Sequence, residues 1–329
     1  MKGRRISYYA RKTIILIMSI FLLSAAVFAM SRLTPVDPLQ SYYGDRTEKM
    51  SVQEKDEARE KLGLNDSIAV QYVRWVSNAL DGDLGISYKY KQPVTEVTSG
   101  RLLNTLLLGG LGFIIIFALA VLIGLFCAGR EGRTADRIIC RLGTLSSCIP
   151  DFWLALMLIF LFSVTWHIFP SSNAYSAGGG GFADRLYHLV LPLTVVVISH
   201  LWYYSYMIRN MILEEVRKDY VLLYKSIGLT DREILVRHCL RNIMPGLISV
   251  MAISVSHVLG GTYVTEMVFS YPGIGTLCYE SARYSDYNLL MYLCMLTGGI
   301  VITLNIIGQI ISERIDPRVR TEEKGGEVM

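Results

Sequence analysis

The sequence predicts an all-α membrane protein with six transmembrane helices and a small extracytoplasmic cap between the first and second helices. Hydrophobic residues make up 52% of the 329 residues. Charged residues make up only 18%, whereas a soluble domain has about 25%. Six apolar runs are long enough to cross about 30 Å of hydrocarbon. These runs are 13–30, 102–128, 142–169, 186–208, 243–269 and 289–311.

Lys and Arg are concentrated in every second segment between the apolar runs. This pattern predicts which side of the membrane each segment faces. The segments 1–12, 129–141, 209–242 and 312–329 hold five, four, seven and four Lys or Arg. The two short loops on the other side hold one each, Arg185 and Arg283. Because Lys and Arg mark cytoplasmic loops, we predict that both termini are cytoplasmic.

Composition argues against several other classes of protein. The net charge is only +4, and no block of like charge is long enough for a nucleic-acid-binding arm. The six cysteines include no C-x-x-C pair, which indicates buried thiols rather than a disulfide framework or a metal site. The first apolar run is expected to be an uncleaved anchor, although its small residues would also allow signal-peptide cleavage.

The long segment 31–101 is predicted to form the cap. Ser51 and Glu54 have the spacing of a capping box, which predicts a polar helix from 52 to 62 that stops at Gly63. The next segment, 68–80, has the pattern of an amphipathic helix lying on the membrane surface.

The segment that follows the fourth apolar run predicts a helix, a glycine break and a second helix. Apolar residues at 221, 222, 224 and 227 predict one helical face, and Gly228 is suited to end the helix in the left-handed conformation. Thr230 and Glu233 form a second capping box, from which a new helix should run towards Pro245. The short apolar helix is either a docking surface or a connector that rests on lipid, and the pattern leaves both open.

Seven short elements, in order along nearly the whole chain, resemble those of ABC transporter permeases of the dipeptide, oligopeptide and nickel branch. They are Gly82-Asp83-Leu84-Gly85-Ile86-Ser87 with Pro93-Val94; Asn104-Thr105-Leu106; Ile149-Pro150-Asp151-Phe152-Trp153-Leu154-Ala155; Asp219-Tyr220-Val221; Gly228-Leu229 with Arg237-His238-Cys239-Leu240-Arg241-Asn242; Gly260-Gly261 with Glu266, Phe269 and Pro272-Gly273-Ile274-Gly275; and Asp316-Pro317-Arg318. The family's Glu-Ala-Ala positions read Leu222-Leu223-Tyr224 here, a bulkier surface.

The resemblance implies the type I ABC importer permease fold. It divides the chain into the N-terminus with the first helix (1–30), the cap (31–101), the core transmembrane domain (102–312) with a coupling loop (215–241), and a cytoplasmic tail (313–329). The chain would form half of a pathway for di- or oligopeptides in a bacterial inner membrane. A nickel or metal-chelate importer is the alternative within the branch.

The same resemblance implies partners. They are a second homologous permease, expected as a heterodimer, two ABC ATPase subunits, an extracytoplasmic substrate-binding protein and the surrounding lipid, with no nucleic acid. ATP and Mg²⁺ would be bound by the ATPases, so no cofactor and no catalysis are expected on this subunit. No lysine directly follows a glycine, so the chain lacks the Gly-Lys pair of a P-loop.

Two sets of site residues follow. The resemblance assigns ATPase coupling to Asp219, Tyr220, Leu222, Leu223, Tyr224, Gly228, Thr230 and Glu233. Charged or helix-breaking residues inside a span are candidate pathway residues, here Pro150, Asp151, Trp153 and Glu266.

These pathway candidates have alternative explanations. Asp151 either lines the path or is paired inside the bundle, and Glu266 is expected to brace the Pro-Gly turn that follows it. No metal site is predicted, since His200 and His257 are expected to be hydrogen-bonded packing residues. Arg209 is expected to extend its side chain to the membrane surface.

Two other function classes fit the sequence less well. A stand-alone secondary transporter often has internal inverted repeats, and none is visible between the two halves. An intramembrane enzyme would need paired catalytic groups, and the chain contains no His-Glu-x-x-His and no Gly-x-Ser-x-Gly.

Overall fold

The structure is a computed structural model that describes residues 2–33, 38–44, 46–61 and 63–315. Leu62, the predicted end of the polar helix, and Asp316-Pro317-Arg318 lie outside the described residues. The helices are α1 Lys2–Leu33, α2 Pro38–Tyr43, α3 Arg46–Lys49, α4 Val52–Lys61, α5 Ile68–Leu80, α6 Val94–Ala128, α7 Thr134–Ser147, α8 Asp151–Leu158, α9 Phe182–Val216, α10 Asp219–Ser226, α11 Asp231–Glu233, α12 Leu240–Val268, α13 Ile274–Arg283 and α14 Tyr287–Ile315. Two π-helical turns, Ile159–Thr165 and Ile234–Cys239, continue α8 and lead into α12.

The predicted all-α membrane fold is confirmed. Within the described residues, five helical segments are long and apolar enough to cross a membrane, and a sixth crossing is possible if one bent helix pair counts as a span. The five are Ala10–Leu33, Val94–Ala128, Phe182–Val216, Asp231–Val268 and Tyr287–Ile315. They coincide with five of the six predicted apolar runs.

The third predicted span, 142–169, is broken at Pro150, the residue that the sequence marks as helix-breaking. It is divided between α7 and α8 with the π-helical turn, and the two parts meet at a bend of 97°. Pro150 explains the break, because proline has no N–H to donate to the helix ladder and disfavours helical geometry in the residue before it. Pro150 instead precedes the first turn of α8 with extended backbone angles.

Residues 1–104 and 272–303 form the first of two compact units. The capping box of α4 is confirmed, since the Ser51 N–H donates to Glu54 Oε2 at 2.7 Å and the Glu54 N–H to Ser51 Oγ at 3.3 Å. Helix α5 has the predicted bounds. Tyr72 on α5 lies 2.7 Å from the Ser24 hydroxyl of α1, and its ring packs against Phe28.

The first of the seven sequence elements folds into a closed loop within this unit. The Ser87 N–H donates to Gln92 O at 2.9 Å, and the Val94 N–H to Gly85 O at 3.1 Å. Gly85 has φ +87°, and a Cβ there would lie 3.0 Å from the Asn288 side-chain amide, so the turn requires glycine. Backbone hydrogen bonds within the segment thus close the loop.

Residues 105–271 and 304–315 belong to the second unit, within the part of the chain that the structure describes. Its core is centred on α9, which packs against α7 and α12. Tyr204, Ile208 and Ile212 of α9 are all buried. Arg209 does not simply extend to the membrane surface as expected. Its Nε and Nη2 each donate to Asp136 at 2.7 Å, and the Asp136 side chain is only 3% exposed. This bidentate pair fixes the start of α7 against α9.

Candidate coupling site and pathway residues

Gly228 ends α10 in the way that the sequence predicts. Its φ is +88°, its N–H donates to Lys225 O at 3.1 Å, and the Leu229 N–H donates to Tyr224 O at 3.1 Å. These two bonds form the Schellman motif, which satisfies the last carbonyls of a helix and turns the chain away. The short helix is thereby closed at its C-terminus by its own backbone.

The second helix of the loop begins at the predicted capping box. The Glu233 N–H donates to Thr230 Oγ1 at 3.3 Å, and the Thr230 N–H donates to Glu233 Oε2 at 3.1 Å. The helical chain then continues through the π-helical turn and past Pro245 to Val268. The break at 228–230 therefore lies between the C-terminal turn at Gly228 and the capping box of Thr230 and Glu233. The chain that follows the break is part of a long span.

A buried carboxylate ties the loop to the two spans that flank it. Glu215, at the end of α9, accepts hydrogen bonds from the Tyr220 hydroxyl at 2.8 Å and from the Asn242 amide at 3.0 Å, and pairs with Lys218 at 2.5 Å. Burial, and then the neighbouring Cys239 thiol and Glu215 carboxylate, raise the pKa of Tyr220. The phenol therefore stays protonated and remains a donor to Glu215.

Aromatic packing adds to this attachment. The Tyr220 and Tyr224 rings form an edge contact at 5.6 Å, and the Tyr224 ring lies 4.1 Å from that of His238, centroid to centroid. Val221 is buried beside them. This inward face of α10 joins it to the π-helical turn that precedes α12.

The outward face of α10 is apolar and open. The side chains of Leu222, Leu223 and Ile227 are 68%, 61% and 66% exposed. The predicted face of 221, 222, 224 and 227 is therefore wrong, because Val221 and Tyr224 point inward while Leu222 and Ile227 point outward. The helix is apolar on both sides, so periodicity could not separate its two faces.

The predicted coupling residues lie on α10, on α11 and at the break between them. Asp219 is exposed in the first turn of α10. The predicted coupling residues leave out three that hold this segment: Glu215, His238 and Asn242, of which the last two lie in a quoted family element. Glu215 could have been noticed as an acid at the end of a span, but its neighbour Glu214 has the same property and is exposed. Only the fold separates the two.

Three of the pathway candidates lie together at the bend of 97°. Pro150 caps α8, Asp151 lies in its first turn, and Trp153 is 47% exposed. The Asp151 carboxylate makes no hydrogen bond or ion pair within the described residues. A carboxylate at a helix N-terminus is stabilised by the helix dipole and remains available to a ligand.

Glu266 is placed differently from the other candidates. It is fully buried near the end of α12, and its carboxylate accepts a hydrogen bond from the Thr105 hydroxyl at 2.7 Å. Its carbonyl accepts from the Tyr271 N–H at 2.8 Å and so helps to turn the chain after the helix. This environment fits the bracing role better than contact with a solute.

In the part of the chain that the structure describes, no three His, Cys, Asp or Glu side chains lie close enough to hold a metal ion. His200 is a packing residue, with Nδ1 3.0 Å from Val196 O. His257 differs from expectation, since it is exposed on α12 and makes no hydrogen bond within the described residues.

Comparisons with known proteins identify the family. Residues 120–321 match the family of binding-protein-dependent transport system inner membrane components, and residues 5–109 match the N-terminal model of that family. The chain belongs to this family.

The similarity to known permeases extends over nearly the whole chain. It is 29% identical to the oligopeptide transport system permease protein AppB of Bacillus subtilis, over 95% of this chain and 99% of that protein. It is 31% identical to a putative peptide permease of Brucella ovis (91% and 94%) and 28% identical to the dipeptide transport system permease DppB of Escherichia coli (89% and 92%).

The fold of the permease is similar to that of a chain in an inward-facing structure of the MetNI methionine ABC transporter. The TM-score is 0.56 at 15% identity, over 67% of this chain and 97% of that one. Family and fold together make this chain a permease subunit of an ABC importer, a multi-pass membrane protein. They decide against the stand-alone secondary transporter and the intramembrane enzyme.

Proposed function

We propose that this permease provides half of a peptide translocation pathway and that α10 is the helix through which separate ATPase subunits drive it. The carrying observation is the contrast between the two faces of α10. The inward face is fixed by Glu215, Tyr220 and His238, whereas Leu222, Leu223 and Ile227 expose apolar surface outside the spans. Clustered apolar exposure of this kind is typical of a contact surface for another protein.

The attachment of α10 suggests how the coupling works. Glu215 terminates α9 and accepts a hydrogen bond from Asn242, which lies in α12. A displacement of α10 is therefore transmitted to two spans at once. ATP-driven closure of an ATPase dimer would move α10 and rock α9 and α12, which is the rigid-body form of alternating access.

Peptide is the substrate class that the relatives favour. Those reported above are named as oligopeptide, dipeptide and putative peptide permeases, which supports peptide over the nickel or metal-chelate alternative. A substrate-binding protein on the extracytoplasmic side would deliver the peptide, and a second homologous permease would complete the pathway as a heterodimer. ATP and Mg²⁺ would bind the ATPases, with no cofactor or metal on this subunit.

The proposed orientation places both termini and α10 in the cytoplasm of a bacterial cell. It rests on the excess of Lys and Arg in the segments around 129–141 and 209–242. A cysteine placed at exposed Ser226 should react with an impermeant thiol reagent only from the cytoplasmic side. Reaction from the outer side would overturn both the orientation and the role of α10.

The function is tested by purification of the complex from membranes. The wild-type chain should bring two ATPase subunits with it, and peptide uptake into vesicles should stop when ATP is depleted. Replacing Leu222 and Leu223 together with Asp should release the ATPases while the chain still inserts. Val52→Asp is the control, since Val52 is a 77% exposed apolar residue on α4. ATPase retention by the double variant would contradict the docking role.

A further inference from the structure

One face of α12 is open between Ile253 and Tyr263. Ile253, Ser256, His257, Gly260 and Tyr263 are exposed and share one face of the helix, here called the open stripe. The opposite face is buried in the second unit; its members are Ala252, Ser254, Val258, Thr262, Thr265 and Glu266. A span with one covered and one open face must present the open face to lipid, to another protein or to water.

The open stripe is too polar for lipid. The Ser256 hydroxyl, the His257 imidazole and the Tyr263 hydroxyl make no hydrogen bond within the described residues. Polar groups left unpaired in hydrocarbon cost free energy, so such side chains normally face a bundle interior or a water-filled cavity. On the buried face the hydroxyls are paired. Ser254 donates to Met251 O at 2.7 Å and Thr262 to Leu259 O at 2.8 Å.

Two adjacent glycines of α12, Gly260 and Gly261, lie on different faces and have different surroundings. A Cβ on Gly261 would lie 2.6 Å from the His200 ring of α9, so Gly261 allows the two spans to pack closely. A Cβ on Gly260 would meet nothing within 4 Å. Packing inside this chain therefore explains why Gly261 is small but gives no reason for Gly260. The space in front of Gly260 is left free for something else.

We infer that the open stripe is the wall that this subunit contributes to a water-filled path for the peptide. The inference rests on the proposed function. A peptide carries backbone amides, carbonyls and charged termini, and it would lose their hydration inside a membrane. Ser256, His257 and Tyr263 offer hydrogen-bonding groups that replace part of that hydration, while Gly260 leaves room for peptide side chains of different size.

Water access is tested by single cysteines in the complete transporter, in a background from which the six native cysteines have been removed. Cysteines at Ser256, His257 and Gly260 should react with the charged reagent MTSET in permeabilised membranes, and a transported dipeptide should slow the reaction. Leu122→Cys is the control, since Leu122 is a 63% exposed apolar residue on α6 that should face lipid. Absence of reaction at both His257 and Gly260 would overturn the inference.

Blocking the path is tested by Gly260→Trp, with Gly260→Ala as the conservative variant. The Trp variant should still insert, bind the ATPases and hydrolyse ATP, but lose peptide uptake, and the Ala variant should keep uptake. Normal uptake by Gly260→Trp would overturn the inference. Failure of the proposed function is distinguishable, because it would appear already in the wild type as a chain that purifies without ATPases.

Discussion

The hydroxyl of Ser87 donates a hydrogen bond to the carboxylate of Asp286, a residue 199 positions further along the chain. Asp286 is fully buried and also accepts from the Lys89 N–H at 3.1 Å and from the Leu289 N–H at 3.3 Å. The bond from the Leu289 N–H caps the start of α14. One carboxylate thus fixes the loop before α6 to the helix that follows α13.

Replacing Asp286 with Ala should destabilise the first unit markedly. The change leaves the buried donors of Ser87 and Leu289 and the partly buried Lys89 N–H without this acceptor, at a cost of about 1–3 kcal/mol for each donor that water cannot reach. We expect a lower thermal unfolding midpoint of the detergent-purified chain. Asp56→Asn, an exposed acid on α4, is the control and should leave the midpoint unchanged. Equal midpoints for both variants would show that the Asp286 cluster contributes little.

The Asp286 cluster also shows what the sequence could not reveal. Ser87 was recognisable within a short motif, but its partner lies far along the chain in a segment with no pattern of its own. By contrast, the capping boxes at Ser51 and Thr230 were predicted correctly, because each joins residues only three positions apart. Contacts that are local in sequence can be predicted from sequence, whereas contacts made by the fold cannot.

The same limit applies to two features of the helices. Pro150 is recognisable as a helix-breaking residue, but the size of the bend, 97°, cannot be read from that residue alone. On α10, apolar residues occur on both faces, so the division between buried Val221 and exposed Leu222 follows from the position of Glu215 and His238. Neither of these partners lies within α10.

Replacing Gly228 with Val should uncouple the permease without unfolding it. Gly228 has φ +88°. A residue with a Cβ atom costs about 1–2 kcal/mol of conformational free energy in this left-handed region. The Schellman turn would open and α10 would lose its orientation. We expect normal membrane insertion and a loss of ATP-dependent peptide uptake.

Two variants control for this experiment. Gly228→Asn should retain part of the uptake, because asparagine tolerates the left-handed conformation. Gly100→Val adds the same side chain at a helical glycine of α6 with open space around it, and should behave as the wild type. Full uptake by Gly228→Val would refute the importance of the break.

Replacing Glu215 with Ala should separate ATP hydrolysis from transport. The change removes the acceptor of the Tyr220 hydroxyl and the Asn242 amide, so α10 would no longer be fixed to α9 and α12. We expect that the ATPases still bind through Leu222 and Leu223 and still hydrolyse ATP, while the peptide transported per ATP falls.

Glu214→Ala provides the matched control for Glu215→Ala, because Glu214 is the adjacent acid on the same helix and is exposed. It should keep the wild-type ratio of transport to hydrolysis. Glu215→Gln retains an oxygen acceptor for Tyr220 and should lie between the wild type and the Ala variant. An unchanged ratio in Glu215→Ala would reduce Glu215 to a residue of general stability.

Replacing Asp151 with Asn tests whether this carboxylate contacts the substrate. Asp151 makes no hydrogen bond or ion pair within the described residues, so its charge contributes to the fold mainly through the N-terminus of α8, an effect of about 0.3–1 kcal/mol. Expression and thermal stability should therefore remain close to the wild type. If the carboxylate meets the peptide, its loss should change the KM or the maximal rate of uptake, most strongly for peptides with a cationic side chain. Uptake kinetics that are unchanged for cationic and neutral peptides alike would limit Asp151 to the helix end.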